Sequence, residues 1–263
     1  GMNLAVVLRA GAGGALLAAL TIVVTLVAGW LIGRWLKLRP AASALISAGT
    51  AICGGSAIAA AGSAINAEEG DMTVAMGTVF LLNAAALYLF PIVGHALGFS
   101  QTQFGTWAGI GIHDVSSVVG AAGRYGEAAL QTATAVKLSR ALWIVPLTIG
   151  IAWALRGRHR PHLGGTTIGF DPDQKTPRKL QIPWFIGLFL LASVLRSFVP
   201  AIANAAPTIT HLATTGLTLT LFLIGAGITR TTLRAVGARA LFQGVALWAL
   251  IGTLSAGLIV IGL

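Results

Sequence analysis

Charge is scarce in this chain. Only 9% of its 263 residues are Asp, Glu, Lys or Arg, and several runs without any of them exceed the roughly 20 residues needed to cross a bilayer. Hydrophobic residues make up 56% of the sequence, which excludes an ordinary soluble domain and implies a polytopic helical membrane protein. Cysteine is nearly absent. The lone Cys53 excludes an internal disulfide and any cysteine metal cluster. A secretory leader is not expected, because Leu4 to Leu8 is too short an apolar region before Arg9 and the next run is long enough to span. Gly1 ahead of Met2 reads as an added residue. Acidic residues are few, so the formal net charge is +10. In a soluble protein that excess would invite a nucleic-acid partner; here cationic loops at one membrane face explain it, and no nucleic acid is expected.

The charges that exist mark the organisation. Met2 to Ala10 reads as an interfacial turn or the end of an incomplete helix, and Gly13 to Ile32 as the first full crossing, closed by Arg34, Trp35, Lys37 and Arg39. Ala41 to Ile65 follows with no charge and ends at the acidic loop Glu68, Glu69, Gly70 and Asp71, read as a solvated boundary. Met72 to Leu97 is a further span in which Pro91 kinks or ends the helix, with Asn83 inside and His95 at the interface. Phe104 to Gly123 and Ala128 to Leu155 come next. Residues 156–180 form a basic, Gly- and Pro-containing cytoplasmic linker within a single transmembrane domain, 1–263; its His159 and His162 make no convincing metal motif. Spans at Ile182 to Leu195, Thr208 to Ile228 and Leu241 to Ile261 complete the pattern, with a loop at Val199 to Pro207 and cations at Arg230, Arg234 and Arg239.

Two of these segments differ from the rest. GTAICGGSAIAAAGSAIN, from Gly49 to Asn66, has little bulky apolar surface for lipid, and its glycines, Ser56 and Thr50 suit a helix that unwinds inside a bundle. Tight helix packing is the plainer reading. GIHDVSSVVGAAGRY, from Gly111 to Tyr125, has a similar texture. Setting Ala51 against Gly111 pairs Ile52 with Ile112, Ser56 with Ser116, Ile58 with Val118 and Ala61 with Ala121. Paired Gly-rich interruptions in two parts of a membrane chain are the best sequence pointer to a transport site. Two topologies satisfy the charges. Either every segment crosses, giving eight crossings, or both unusual segments re-enter from opposite faces, leaving six crossings and a cytoplasmic acidic loop.

His113 and Asp114 sit in the middle of the second segment, and ionisable residues at membrane depth are functional candidates by default. Asp114 can accept a proton, bind a cation or orient His113. Lys137 and Arg140, three residues apart on a helix, can neutralise Asp114 or attract an anion, or they snorkel to an interface. The candidate substrate-binding residues are therefore Thr50, Cys53, Gly54, Gly55, Ser56, His113, Asp114, Ser116, Ser117, Lys137 and Arg140. No catalytic, cofactor or metal site is expected. Cys53 with His113 as nucleophile and base lacks a recognised catalytic arrangement, so the chain does not read as an enzyme.

The run GTAICGGSAIAA, the later GIHDVSSVV and AVKLSR, and QIPWF together resemble the YeiH family, described as sulfate exporters, over nearly the whole chain. The resemblance implies an all-α, polytopic transmembrane helical bundle in the bacterial cell inner membrane, built like a secondary transporter from an internal repeat with two broken or re-entrant helices. It also implies further N-terminal helices ahead of the part represented here, so a shortened form is expected, with a homo-oligomer as one way to replace a missing half-repeat. The family's usual His-Glu pair stands here as His113 and Asp114. The function expected is movement of a small anion, sulfate first, coupled to protons or sodium; the alternative is a membrane scaffold or binding protein that engages lipid or a partner and moves no solute.

Overall fold

The computed structural model describes residues 4–156 and 236–262, with scattered helical positions between 188 and 226. The linker 156–180 beyond Arg156, with His159 and His162, the spans Ile182 to Leu195 and Thr208 to Ile228, the loop between them, Arg230 and Arg234 lie outside the continuously described residues. Among those described, every regular element is a helix: α1 (Leu4–Trp35), α2 (Pro40–Ala51), α3 (Gly55–Ile65), α4 (Glu69–Ala96), α5 (Gln101–Gly111), α6 (Val115–Tyr125), α7 (Glu127–Ala141), α8 (Ile144–Arg156) and α9 (Ala238–Val260). Ala18–Trp35 within α1, together with α4 and α9, is long and apolar enough to cross a membrane. The molecule is an all-α helical membrane protein.

Several boundaries differ from those read in the sequence, each for a local reason. α1 is one helix from Leu4 rather than a turn followed by a span, because its only breakers are glycines and it contains no proline. Pro91 lies inside α4 without ending it. The span expected from Ala128 to Leu155 is interrupted at Leu142 and Trp143. Pro146 accounts for the interruption: its ring opposes the carbonyl four residues back, at Leu142, and it has no amide to donate there.

The two unusual segments are helical hairpins. At the base of the first, Arg39, just before α2, pairs with Glu68, just after α3, at 2.7 Å and with Asp71 at 3.4 Å. A segment that enters and leaves beside the same ion pair does not cross the bundle. The acidic loop is thus more than a solvated boundary, since Asp71 is buried and Glu68 helps hold Arg39 charged, above its ordinary value. The second hairpin closes the same way: the Tyr125 hydroxyl donates to the Phe99 carbonyl at 2.7 Å, and Gln101 Oε1 accepts from the Ala128 amide at 3.0 Å. Each arm has 11 or 12 residues, about 17 Å of helix, or roughly half a bilayer core.

Between the hairpins runs the 28-residue α4, so they enter the bundle from opposite ends. α1 then the first hairpin, and α4 then the second, are one unit used twice in opposite directions. The 60-residue register expected from sequence is kept at the breaks: α2 and α5 end at Ala51 and Gly111, and α3 and α6 begin at Gly55 and Val115. α9 starts at the end that carries Arg34, Lys37 and Arg39. Its Gln243 Nε2 donates to the Gly29 carbonyl at 3.0 Å and to Ser43 Oγ at 2.9 Å. Farther along, Trp107 Nε1 donates to the Gly252 carbonyl at 2.8 Å.

Packing rests on close approach, as expected where lipid removes the hydrophobic gain between helices. α5 lies so near α7 that a Cβ on Gly105 or Gly109 would stand 2.7 Å from the Ala129 carbonyl or 2.9 Å from the Ala133 carbonyl. An aromatic cluster around Phe90, Phe104, Trp107 and Tyr125 fills the second hairpin's side, where Phe104 and Tyr125 stack at 3.8 Å and Phe90 and Trp107 at 4.2 Å. Ile22, Ile52, Cys53, Ala57 and Ile144 form a smaller cluster beneath the first hairpin's tip.

Candidate functional site

The tips of the two hairpins meet. Gly54 at the first break has a φ of 67°, a left-handed value that glycine adopts without penalty, and a Cβ there would lie 3.4 Å from His113 Cβ and 3.2 Å from Val79 Cγ1. The two breaks, Ile52 to Gly54 and Ile112 to Asp114, thus share one place deep in the bundle. Each exposes the ends of two short helices, and a helix end inside a membrane requires partners for its free amides and carbonyls.

Those partners come from different sources at the two tips. At the second, Asp114 caps α6, its carboxylate accepting from the Ser117 amide at 2.6 Å and the Ser117 hydroxyl at 2.8 Å. Asn83 of α4 accepts from the His113 amide at 3.0 Å. At the first tip the partners are cations. Lys137 Nζ donates to the Ile52 carbonyl at 3.3 Å, and Arg140 donates to the Ala51 carbonyl and, at 2.8 Å, to Thr21 Oγ1 of α1. Both cations therefore sit at the carbonyl end of α2, where the helix dipole favours positive charge.

This placement corrects two readings of Lys137 and Arg140. They do not snorkel, being 0% and 1% exposed, and neither pairs with Asp114: among the described residues the only ion pairs are those of Arg39 with Glu68 and Asp71. Asp114 is engaged with Ser117 rather than orienting the His113 ring, whose two nitrogens have no hydrogen-bond partner among the described residues although the residue is 1% exposed. Cys53 is buried and its Sγ lies 3.1 Å from Ser56 Oγ, so no hydrogen bond joins it to His113. Thr50 is buried with its hydroxyl unpartnered among the described residues; Gly55 is half-buried and Ser56 exposed; Ser116 is half-buried and Ser117 buried.

Besides His113 and Thr50 at this junction, Arg140 Nε and Asn83 Nδ2 are buried without partners among the described residues. Apart from the threonine hydroxyl and the imidazole, which can also accept, these groups are donors, and two of the residues carrying them bond directly to a break. Asn83 and Thr21 were not among the candidates read from sequence. An Asn within an apolar span was a usable signal for the first; nothing local marks a threonine in a long helix as an arginine's partner. The arrangement has positive charge and spare donors at the junction of two broken helices, which is the chemistry of anion binding. A cavity of about 480 Å³ lies elsewhere, at the cationic end beside the first hairpin, with Trp30, Arg34, Lys37, Leu45 and Ile65 among its lining.

Comparison with known proteins places the chain. It is 48% identical over 253 residues to a UPF0324 membrane protein of Porphyromonas gingivalis, covering 95% of this chain and 72% of that relative. A UPF0324 membrane protein of Bacteroides thetaiotaomicron is 44% identical over 256 residues, covering 95% and 71%. One from Bdellovibrio bacteriovorus is 45% identical over 264 residues, covering 100% and 77%. No solved structure matches the chain. The model of the family described as "Conserved hypothetical protein 698" matches residues 1–244, and the chain belongs to that family of UPF0324 membrane proteins, the YeiH family its motifs resemble.

Proposed function

We propose that this protein is a secondary transporter that moves a small anion across the bacterial inner membrane, with six crossings and the two hairpins re-entering from opposite faces. One observation carries the reading: Lys137 and Arg140 are fully buried where the tips meet, with no carboxylate paired to either among the described residues. Burying an ion costs several kcal/mol even after relaxation. Carbonyls at the end of α2 offset part of that cost, and a bound anion would offset more. The cationic loops at Arg34 to Arg39 and at Arg239 orient that end to the cytoplasm.

Hairpins that meet tip to tip give a mechanism for alternating access. Withdrawing one opens the junction to one side while the other keeps it closed. His113, whose ring nitrogens have no hydrogen-bond partner among the described residues, would take up a proton with the anion, which couples flux to the proton gradient. Sodium coupling is the competing arrangement. Cys53 serves as packing at the tip, and no covalent chemistry is assigned to it.

Labelled sulfate flux in proteoliposomes, with proton and sodium gradients varied separately, tests the reading. Lys137→Gln with Arg140→Gln keeps donors near the Ala51 and Ile52 carbonyls while removing both charges. Gradient-linked flux that disappears in this folded variant is the expected result. Sulfate binding without flux would favour a scaffold or binding protein, and flux unchanged by the double substitution would remove the junction from the mechanism.

A further inference from the structure

The cavity at the cationic end has walls and a mouth of different chemistry. Its walls are apolar side chains of α1, the loop after it, the first hairpin and α8, including Leu26, Leu38, Leu45, Ile65 and Leu147. Ser43 and Ser47 also line it, but their hydroxyls are spent: Ser47 Oγ donates to the Ser43 carbonyl at 2.7 Å, and Ser43 Oγ donates to the Gly29 carbonyl at 3.3 Å and accepts from Gln243 at 2.9 Å. At the mouth stand Arg34 and Lys37, both exposed. Arg39, the third cation of this loop, is committed to Glu68 and Asp71, whereas Arg34 and Lys37 have no acidic partner among the described residues.

Trp30 and Trp35 fix the depth of that mouth. They are 60% and 73% exposed, as indoles are where a bilayer meets water, and the Arg34 guanidinium lies 5.9 Å from the centre of the Trp30 ring. Cations thus sit at headgroup level and apolar volume lies beside them, toward the bundle interior. A volume of about 480 Å³ falls within the ~300–1,000 Å³ of ordinary ligand sites. A path for a hydrated anion would need polar walls, which this cavity lacks.

We propose that this cavity binds an anionic glycerophospholipid of the surrounding bilayer, with its phosphate held by Arg34 and Lys37 and an acyl chain lying against Leu45, Ile65 and Leu147. The site is separate from the hairpin junction and does not rest on the transport reading. Occupancy would brace α1 against the first hairpin, the element whose tip Lys137 and Arg140 hold.

The test compares phosphatidylglycerol with phosphatidylcholine of identical acyl chains for binding to the purified full chain, by native mass spectrometry. Two cations at a membrane surface predict roughly a 30-fold preference for phosphatidylglycerol. That preference should fall to near parity in Arg34→Gln/Lys37→Gln, while Ala44→Leu, which narrows the cavity, should weaken both lipids. Equal binding of the two lipids by the unmodified chain, or a preference that survives the double substitution, overturns the proposal. So does competition by soluble glycerol phosphate as effective as phosphatidylglycerol itself, which would make the mouth an anion vestibule instead.

Discussion

The two hairpins share a register and differ in how their tips are held. The first breaks at a left-handed glycine, and its α2 end is held by two cations from α7, 85 or more residues away in sequence. The second breaks at an aspartate that caps its own helix through Ser117, three residues on, with Asn83 of the preceding helix taking the His113 amide. One tip is held from outside and the other mostly from within. On the transport proposal, the tip held by long side chains from another helix is the one an anion would release, because the same Lys137 and Arg140 donors could serve either the α2 carbonyls or a ligand. A tip closed by its own cap would have no such competition, so that proposal gives the responsive role to the first hairpin and the fixed floor of the junction to the second.

The largest effect expected is all-or-none, and it tests whether these are hairpins in the membrane. In a Cys53→Ser background, single cysteines at Lys37 and Glu68 should react with an impermeant thiol reagent from the same side, and cysteines at Thr102 and Arg124 from the other. Eight crossings would instead put Lys37 and Glu68 on opposite sides. That outcome would conflict with the Arg39–Glu68 contact and dissolve the comparison.

How much of this was legible in advance follows from how local each cause is. The breaks at Gly54 and His113–Asp114 were readable, because glycine pairs and ionisable residues in an apolar span are themselves the cause of the break. The 60-residue offset was readable for the same reason. Whether the segments cross or return was not, because charge counting tolerates both; what favours return is Arg39 meeting Glu68, a contact between separate loops. The destination of Lys137 and Arg140 was equally hidden. Their spacing announces one helix face, but only the fold shows that this face meets the end of α2 rather than Asp114. Pro146 is a local signal for the break between α7 and α8, but the hydropathy of its span stays high across the interruption and masks it.

A smaller effect sharpens the contrast at the first tip. Gly54→Ala places a Cβ where φ is 67°, at 3.2 Å from Val79 Cγ1. With ψ at −125° the backbone lies in a positive-φ, extended region open essentially to glycine, which costs another residue on the order of 1–3 kcal/mol, and the tight contact adds to it, so thermal unfolding in detergent should show a loss of at least that order. Gly55→Ala is the control, since its Cβ would have 3.6 Å to the nearest side chain, Phe80, and a negative φ removes the strain. Equal losses from the two substitutions would mean that the left-handed turn does not define the tip.

The smallest effect distinguishes a cap from a coupling group at the second tip. Asp114→Ala removes the acceptor of the Ser117 amide and hydroxyl and should cost about 1 kcal/mol, the ordinary price of an N-cap. Asp114→Asn retains an acceptor oxygen, and Asn is as good a cap as Asp, so its stability should stay within a few tenths of a kcal/mol of the parent. If Asp114 acts only through the cap, sulfate flux in proteoliposomes and its pH dependence should survive Asp114→Asn and weaken in Asp114→Ala in step with the lost stability. If Asp114→Asn leaves stability intact and abolishes gradient-linked flux, the carboxylate's charge has a role beyond the cap, and both tips would carry a group that responds to the transported ion. The asymmetry between the hairpins would then be structural only, with His113 and Asp114 sharing the proton instead of His113 holding it alone.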